Sequence, residues 1–316
     1  MKWSQSRWVL GLILVSLSLS SVQAQEKGRV SLVLGTKGSP FYQSLQCGAM
    51  ARADELGLDL SVSAPNRFAA DSQIPVINAV AATQPDVAVI VPTDMQALVM
   101  PVRQLAQRGS QIITVDQTLA DTSLVETQIL TDNEEGGRMA ARQMAELLAD
   151  GGKVLVITQP PGSIAQDART QGFEAQLGTQ AGFDYLGAQY QANDPQKAAE
   201  IVTSTLSAHP DLAGIFATND QGAIGAVTGL RQAGALGRVK MIAYDAASAE
   251  VAALKNGAID ALIAQDPAQE GRVAMDSAAA LINGETLPAT TLTDIVVLTA
   301  DDPAQADQYE YQADCL

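Results

Sequence analysis

Short apolar runs alternate with amphipathic stretches along almost the whole chain. Residues 30–35, 58–63, 87–91, 111–116, 154–158, 185–189, 214–218, 240–244 and 261–265 are mostly unbroken Val, Ile, Leu and Ala. Strands covered on both faces read this way, whereas a sheet with one wet face alternates apolar and polar positions. The stretches between them carry helix ends. Ser39-Pro40 supplies an N-cap and a first-turn proline for a helix to about Leu56. Asn133-Glu134-Glu135 puts acid at the start of a helix running to Leu148, and Gly151-Gly152 stops it. Asp194-Pro195 opens residues 196–208, and Asp266-Pro267 opens residues 268–282. The pattern predicts α/β architecture with parallel sheets and right-handed crossovers. It forms two βα series in tandem, with residues 124–131 as the crossover from one lobe to the next.

The first residues change the picture. Lys2 and Arg7 precede an apolar run over residues 9–19, and Val22-Gln23-Ala24 has the small residues of a cleavage site. This is the layout of a secretory signal peptide over residues 1–24, and it predicts export to the periplasm. An uncleaved anchor helix is the alternative. Cleavage removes two positive charges and no negative ones, so the formal net charge of −16 becomes −18. Such a surplus of carboxylates argues against a nucleic-acid partner, whose phosphates need Lys and Arg patches. Cys47 and Cys315 are the two cysteines, and in an oxidising compartment they form one disulfide or remain two free thiols.

In open α/β sheets, ligands gather at the carboxyl ends of the strands. The polar residues at those ends are therefore the candidates. Gly35, Lys37, Ser39, Phe41 and Tyr42 follow the first strand, and Asp116-Gln117 follow the fourth. In the second series Arg169 lies early in a helix, Asn219 follows residues 214–218, Asp245 follows residues 240–244, and Gln265 ends residues 261–265. Carboxylates, amides and a guanidinium suit hydroxyl groups that both donate and accept. Taken singly each has a plainer reading: Asp245 as a turn residue, Asn219 as a helix cap, Arg169 as a surface residue, Phe41 as core.

These residues, with Val91-Pro92-Thr93-Asp94, Thr131-Asp132-Asn133, Arg169-Thr170-Gln171-Gly172-Phe173 and Ala208-His209-Pro210-Asp211, make residues 29–298 resemble the sugar-binding periplasmic proteins of ABC transporters. The resemblance is to the ribose-binding-protein-like group with the type I periplasmic-binding-protein fold. It implies two Rossmann-like lobes joined by a three-strand hinge: residues 26–131 plus 266–291, and residues 132–265 plus 292–316. It implies capture of a small sugar or polyol between the lobes and delivery to a membrane permease by a monomer, without cofactor or metal. Carried over, the ligand-binding positions are Gly35, Ser39, Phe41, Tyr42, Asp116, Gln117, Arg169, Asn193, Asn219, Asp245 and Gln265. Lys37 adds a cation near the first loop. Gln117 departs from the arginine usual in ribose binders, and Asn193 stands where those have an aromatic ring. Both departures put ribose itself in doubt. With Asp116 and Asp245 against Arg169, and Lys37 near, the site is close to electrically balanced, as a neutral ligand prefers. A bonded Cys47–Cys315 pair pins the tail across the hinge.

Catalysis finds little support. His209 is the only histidine and sits in a His-Pro-Asp turn, and no Gly-x-Ser-x-Gly turn, phosphate loop or zinc-ligand cluster occurs. A sugar-responsive repressor needs an N-terminal helix-turn-helix and a basic surface, where this sequence offers a signal-peptide pattern and a charge of −18. A ligand-sensing receptor for a chemoreceptor or two-component sensor is the alternative role, and a furanone signal or amino sugar the alternative ligand.

Overall fold

The computed structural model describes Met1, Trp3, residues 27–312, Asp314 and Cys315. The expected signal peptide, apart from Met1 and Trp3, lies outside the described residues. Two sheets of six strands form, one from each βα series. The first contains β1 (Arg29–Val33), β2 (Asp59–Ser63), β3 (Val87–Ile90), β4 (Gln111–Val115), β5 (Thr127–Thr131) and β11 (Thr290–Thr293). Its order is β11-β5-β4-β3-β1-β2, and every pair is parallel. The second contains β6 (Gly152–Thr158), β7 (Phe183–Tyr190), β8 (Leu212–Ala217), β9 (Lys240–Tyr244), β10 (Ala261–Gln265) and β12 (Ile295–Thr299). Its order, β12-β10-β9-β8-β6-β7, repeats the first, except that β12 runs antiparallel to β10.

The unbroken apolar runs occupy central positions. Val87 to Ile90 and Met241 to Tyr244 are fully buried, because helices cover both faces of each sheet. The helices are α1 (Pro40–Leu56), α2 (Ala70–Thr83), α3 (Val99–Gln107), α4 (Asn133–Leu147), α5 (Ile164–Leu177), α6 (Pro195–Ala208), α7 (Asp220–Gln232), α8 (Ser248–Lys255), α9 (Pro267–Ile282) and α10 (Pro303–Tyr309). None of the described helices is long and apolar enough to cross a membrane.

The chain passes between sheets three times: from β5 to α4, from β10 to α9, and from β11 to β12. Two details differ from expectation. Residues 127–131, read as part of a crossover, form β5, whose alternating burial hid it among threonines and glutamine. The third crossing falls at Asp294, because β11 stays in the first sheet through Thr293, beyond the expected change of lobe at residues 291–292. Glu270, in the first turn of α9, ties two crossings together. Its Oε1 accepts from Thr131 Oγ1 at 2.9 Å and more weakly from Thr293 Oγ1 at 3.5 Å.

Close helix pairing fixes the helices that carry site residues. On α4 and α5, a Cβ at Gly137 would lie 2.0 Å from the Arg169 carbonyl oxygen, and one at Gly172 would lie 1.9 Å from that of Glu134. Backbone therefore meets backbone at this contact, which only glycine permits. The same device recurs between α1 and α9 at Gly48 and Gly271.

Candidate functional site

The carboxyl ends of the two sheets face one cavity of about 760 Å³. Sites for small molecules are typically roughly 300–1,000 Å³, with a few converging polar groups. Ser39, Phe41, Tyr42, Asp116, Gln117, Arg169, Asn193, Asn219, Asp245 and Gln265 all line it. Gly35 and Lys37 do not. A Cβ at Gly35 would lie 2.7 Å from the Tyr42 ring and 2.8 Å from that of Phe68. Gly35 is thus a space-maker beneath these stacked rings, whose planes lie 4° apart. Lys37 is exposed and is not among the residues that line the cavity.

Asp116 and Asp245 hold equivalent places in the two lobes. Asp116 follows β4 with φ 64° and Asp245 follows β9 with φ 90°. Each N–H donates to the strand alongside, Asp116 to Ile129 and Asp245 to Ile263, both at 2.9 Å. A left-handed backbone is costly for a residue with a side chain and survives where its surroundings insist on it. Ala192 and Asn193, on the cavity loop after β7, share it at 53° and 62°. Among the described residues, three of the five non-glycine positions with positive φ therefore line this cavity, Gln84 and Ala192 being the exceptions.

The carboxylates have different surroundings. Asp116 Oδ2 accepts from the Tyr42 hydroxyl at 2.9 Å. Burial pushes its pKa up to about 6, although that hydrogen bond and Arg169 pull the other way. Asp245 Oδ1 accepts from Gln265 Nε2 at 2.7 Å and from the Tyr311 hydroxyl at 2.9 Å. Among the described residues, Gln265 Oε1 finds no hydrogen-bond partner.

Arg169 is 3% exposed, so the surface reading fails. It lies in the second turn of α5, with its guanidinium 3.7 Å from the centroid of the Tyr244 ring. Nε donates to Asn133 Oδ1 and an η nitrogen to the Thr218 carbonyl, both at 2.8 Å. The stack and the two bonds fix its plane, while a guanidinium has five N–H groups to give. Asn219 does cap its helix, with Oδ1 accepting from Gly222 N–H at 3.0 Å. It also joins the site, because its amide donates to Asn193 Oδ1 at 2.9 Å. Asn193 Oδ1 further accepts from Gln159 at 2.6 Å.

The near balance of charge does not hold. Asp94 and Asp220 also line the cavity, so four carboxylates face Arg169 with Lys37 outside. Burial and the nearby Asp245 raise the pKa of Asp220. Sequence reasoning also missed Phe68, Thr93, Gln159, Gln166 and Tyr311. Asp220 was readable as a neighbour of Asn219. Tyr311 carried no signal, since it lies in the tail after α10, far along the chain from every predicted strand end.

The cysteine alternatives resolve to one bond. Cys47 on α1 and Cys315 in the tail form a disulfide with their Cα atoms 4.8 Å apart. Among the described residues, no group of His, Cys, Asp and Glu is disposed to hold a metal ion.

A periplasmic binding protein domain family matches residues 30–286. The ribose import binding protein of Salmonella typhimurium is 30% identical over 282 residues, covering 89% of this chain and 94% of the relative. The D-allose-binding periplasmic protein of Escherichia coli is 26% identical over 268 residues, 82% of this chain and 85% of the relative. Among solved structures, an ABC transporter solute-binding protein of Agrobacterium vitis bound to α-D-tagatopyranose superposes with a TM-score of 0.86. That protein is 34% identical, and the match covers 90% of this chain and 100% of it. One from Actinobacillus succinogenes with bound D-allose gives a TM-score of 0.83 at 25% identity, covering 88% of this chain and 100% of that one.

Proposed function

The chain belongs to the periplasmic binding protein family, and from that premise we propose that it captures a monosaccharide or polyol for an ABC importer. It acts without catalysis. The leading residues 1–24 direct it to the periplasm and are removed, and the monomer delivers its cargo to a membrane permease. The observation that carries this reading is the matched pair Asp116 and Asp245, each held in a costly backbone conformation at the edge of one shared cavity. A ligand bridging two such carboxylates must offer donors on opposite sides, as a ring of hydroxyls does. Arg169 and the amides of Gln117, Asn193, Asn219 and Gln265 complete the set, and the Phe41 and Tyr42 rings cover the ligand's apolar face. Lobe one is residues 26–131 plus 266–293, and lobe two is residues 132–265 plus 295–316, with Asp294 at the third crossing. The lobes rock about the three crossings, and contacts made to the ligand from both sides favour the closed arrangement.

The excess of carboxylates favours a second ligand class, a protonated amino sugar, over an acidic sugar. Thermal melting of residues 25–316 separates the readings. D-Ribose, D-allose, D-tagatose, polyols and amino sugars form the panel. A sugar at about a thousand times its dissociation constant adds roughly 4 kcal/mol of stability, which moves the melting temperature by several degrees or more. The expected result is a large shift with one of them, lost in Asp116→Ala and Asp245→Ala. A flat response across the panel rejects sugar capture.

A further inference from the structure

The C-terminal tail begins in one lobe and ends in the other. β12 lies in the second sheet and α10 packs on β12 and α8. Tyr311 is 4% exposed within the second lobe's core cluster, and its N–H donates to Ala246 O at 3.0 Å. Its hydroxyl donates to Asp245 at 2.9 Å. Its ring meets that of Phe41, on α1 of the first lobe, edge to face with centroids 5.8 Å apart. Four residues later Cys315 is bonded to Cys47, also on α1.

We propose that residues 311–315 are a fourth, covalent connection between the lobes, with Tyr311 as a positioning residue of the binding site. The proposal rests on the capture reading for its ligand but not for its mechanics. Four residues span at most about 14 Å when fully extended. Opening of the cleft carries α1 away from β9 and α8, and it draws on that length alone. Once the strap is taut, further opening must stop or pull Tyr311 out of its buried seat. Withdrawal of Tyr311 strips Asp245 of one of its two donors, so wide opening and loss of the prepared carboxylate occur together. Closure reverses both. A tail fixed at both ends also keeps Tyr311 at high local concentration beside its seat, where a free end would sample other places. Tyr311 acts through Asp245: it holds one carboxylate oxygen and leaves the other for the ligand.

Two measurements test the two halves. Small-angle scattering of the ligand-free protein compares wild type with the Cys47→Ser/Cys315→Ser variant, and with wild type reduced by a phosphine. The untethered forms are expected to show a larger radius of gyration and faster hydrogen exchange in residues 310–315. Superimposable scattering curves with unchanged exchange would overturn the connection. Tyr311→Phe keeps the ring against Phe41 and removes the hydroxyl. It is expected to lower the ligand-free melting temperature by a few degrees without unfolding the protein, while weakening the tightest binder among D-tagatose, D-allose and D-ribose about tenfold. Unchanged affinity would overturn the positioning role. If no member of the sugar, polyol and amino-sugar panel binds wild type, sugar capture fails, and the scattering and exchange results still decide the strap.

Discussion

Asp116 and Tyr42 form the pair whose chemistry is most open to direct measurement. Burial raises the carboxyl to about 6, and the Tyr42 hydroxyl restrains that rise by donating to the ionised form. Removing the donor must therefore raise the pKa further. A hydrogen bond to a charged group contributes about 1.5–3 kcal/mol, and a pKa unit corresponds to about 1.4 kcal/mol. Tyr42→Phe should then lift the Asp116 midpoint by about one to two units. Carboxyl carbon NMR of the ligand-free protein reads this directly, and a midpoint at or below the wild-type value contradicts the assignment. The residue scale is also where sequence reading was least even. Asp116, Arg169 and Asp245 stood out because strand ends and resemblance point to the same positions. Lys37 is not among the residues lining the cavity, and spacing along a loop carries no information on side-chain direction. Gly35 was read as a contact, although its role is to leave room for Tyr42 and Phe68.

The elements were legible wherever burial on both faces wrote an unbroken apolar run. Residues 240–244 and 261–265 coincide with β9 and β10 to the residue. β11 and β12 were not legible, since four and five residues separated by Asp294 carry too little pattern, and their pairing is decided by which sheet has a free edge. The glycine contact of α4 with α5 was equally silent, because a glycine within a helix usually signals only lost helix propensity. Here the two effects oppose each other. Gly172→Ala gains about 1 kcal/mol in helix propensity but puts a methyl 1.9 Å from the Glu134 carbonyl oxygen. Overpacking of this kind costs about 1–3 kcal/mol, and here backbone rather than a flexible side chain must yield. The net expectation is a lower melting temperature together with weaker ligand binding, since Arg169 lies one turn earlier on α5. A melting temperature above wild type would mean that α4 and α5 can separate freely.

Over the whole molecule, buried carboxyls and net charge act in the same direction. Glu250 and Glu270 are 1% and 0% exposed. Burial pushes both well above the usual carboxylate range, with Asp245 and Asp220 adding to the shift at Glu250 and Asp116 at Glu270. Asp116 and Asp220 are raised as well. A carboxyl whose folded pKa exceeds its unfolded value binds more protons folded than unfolded. Its stabilising effect is complete below the unfolded pKa, near 4, and is lost as pH rises through the folded value. Half-buried Asp121 and exposed Asp211 are lowered, so they work the other way, but only when the pH falls toward their own range. The formal charge of −16 on the full chain adds self-repulsion that eases as carboxylates protonate. The ligand-free protein should therefore melt at a higher temperature at pH 5 than at pH 7.5, by a few degrees for a chain of this size. Glu270→Gln keeps an oxygen for Thr131 and removes the ionisation, so it should flatten the slope at its alkaline end. Calorimetric melting across this range, in wild type and Glu270→Gln, checks both statements. A melting temperature that falls steadily from pH 7.5 to 5 would mean that ion pairs outside the cavity, not the buried carboxyls, govern the acid response. Ligand affinity should run opposite to stability, because protonating Asp116 removes an acceptor the ligand needs. Binding would then weaken below about pH 6, under the very conditions in which the empty protein is most stable.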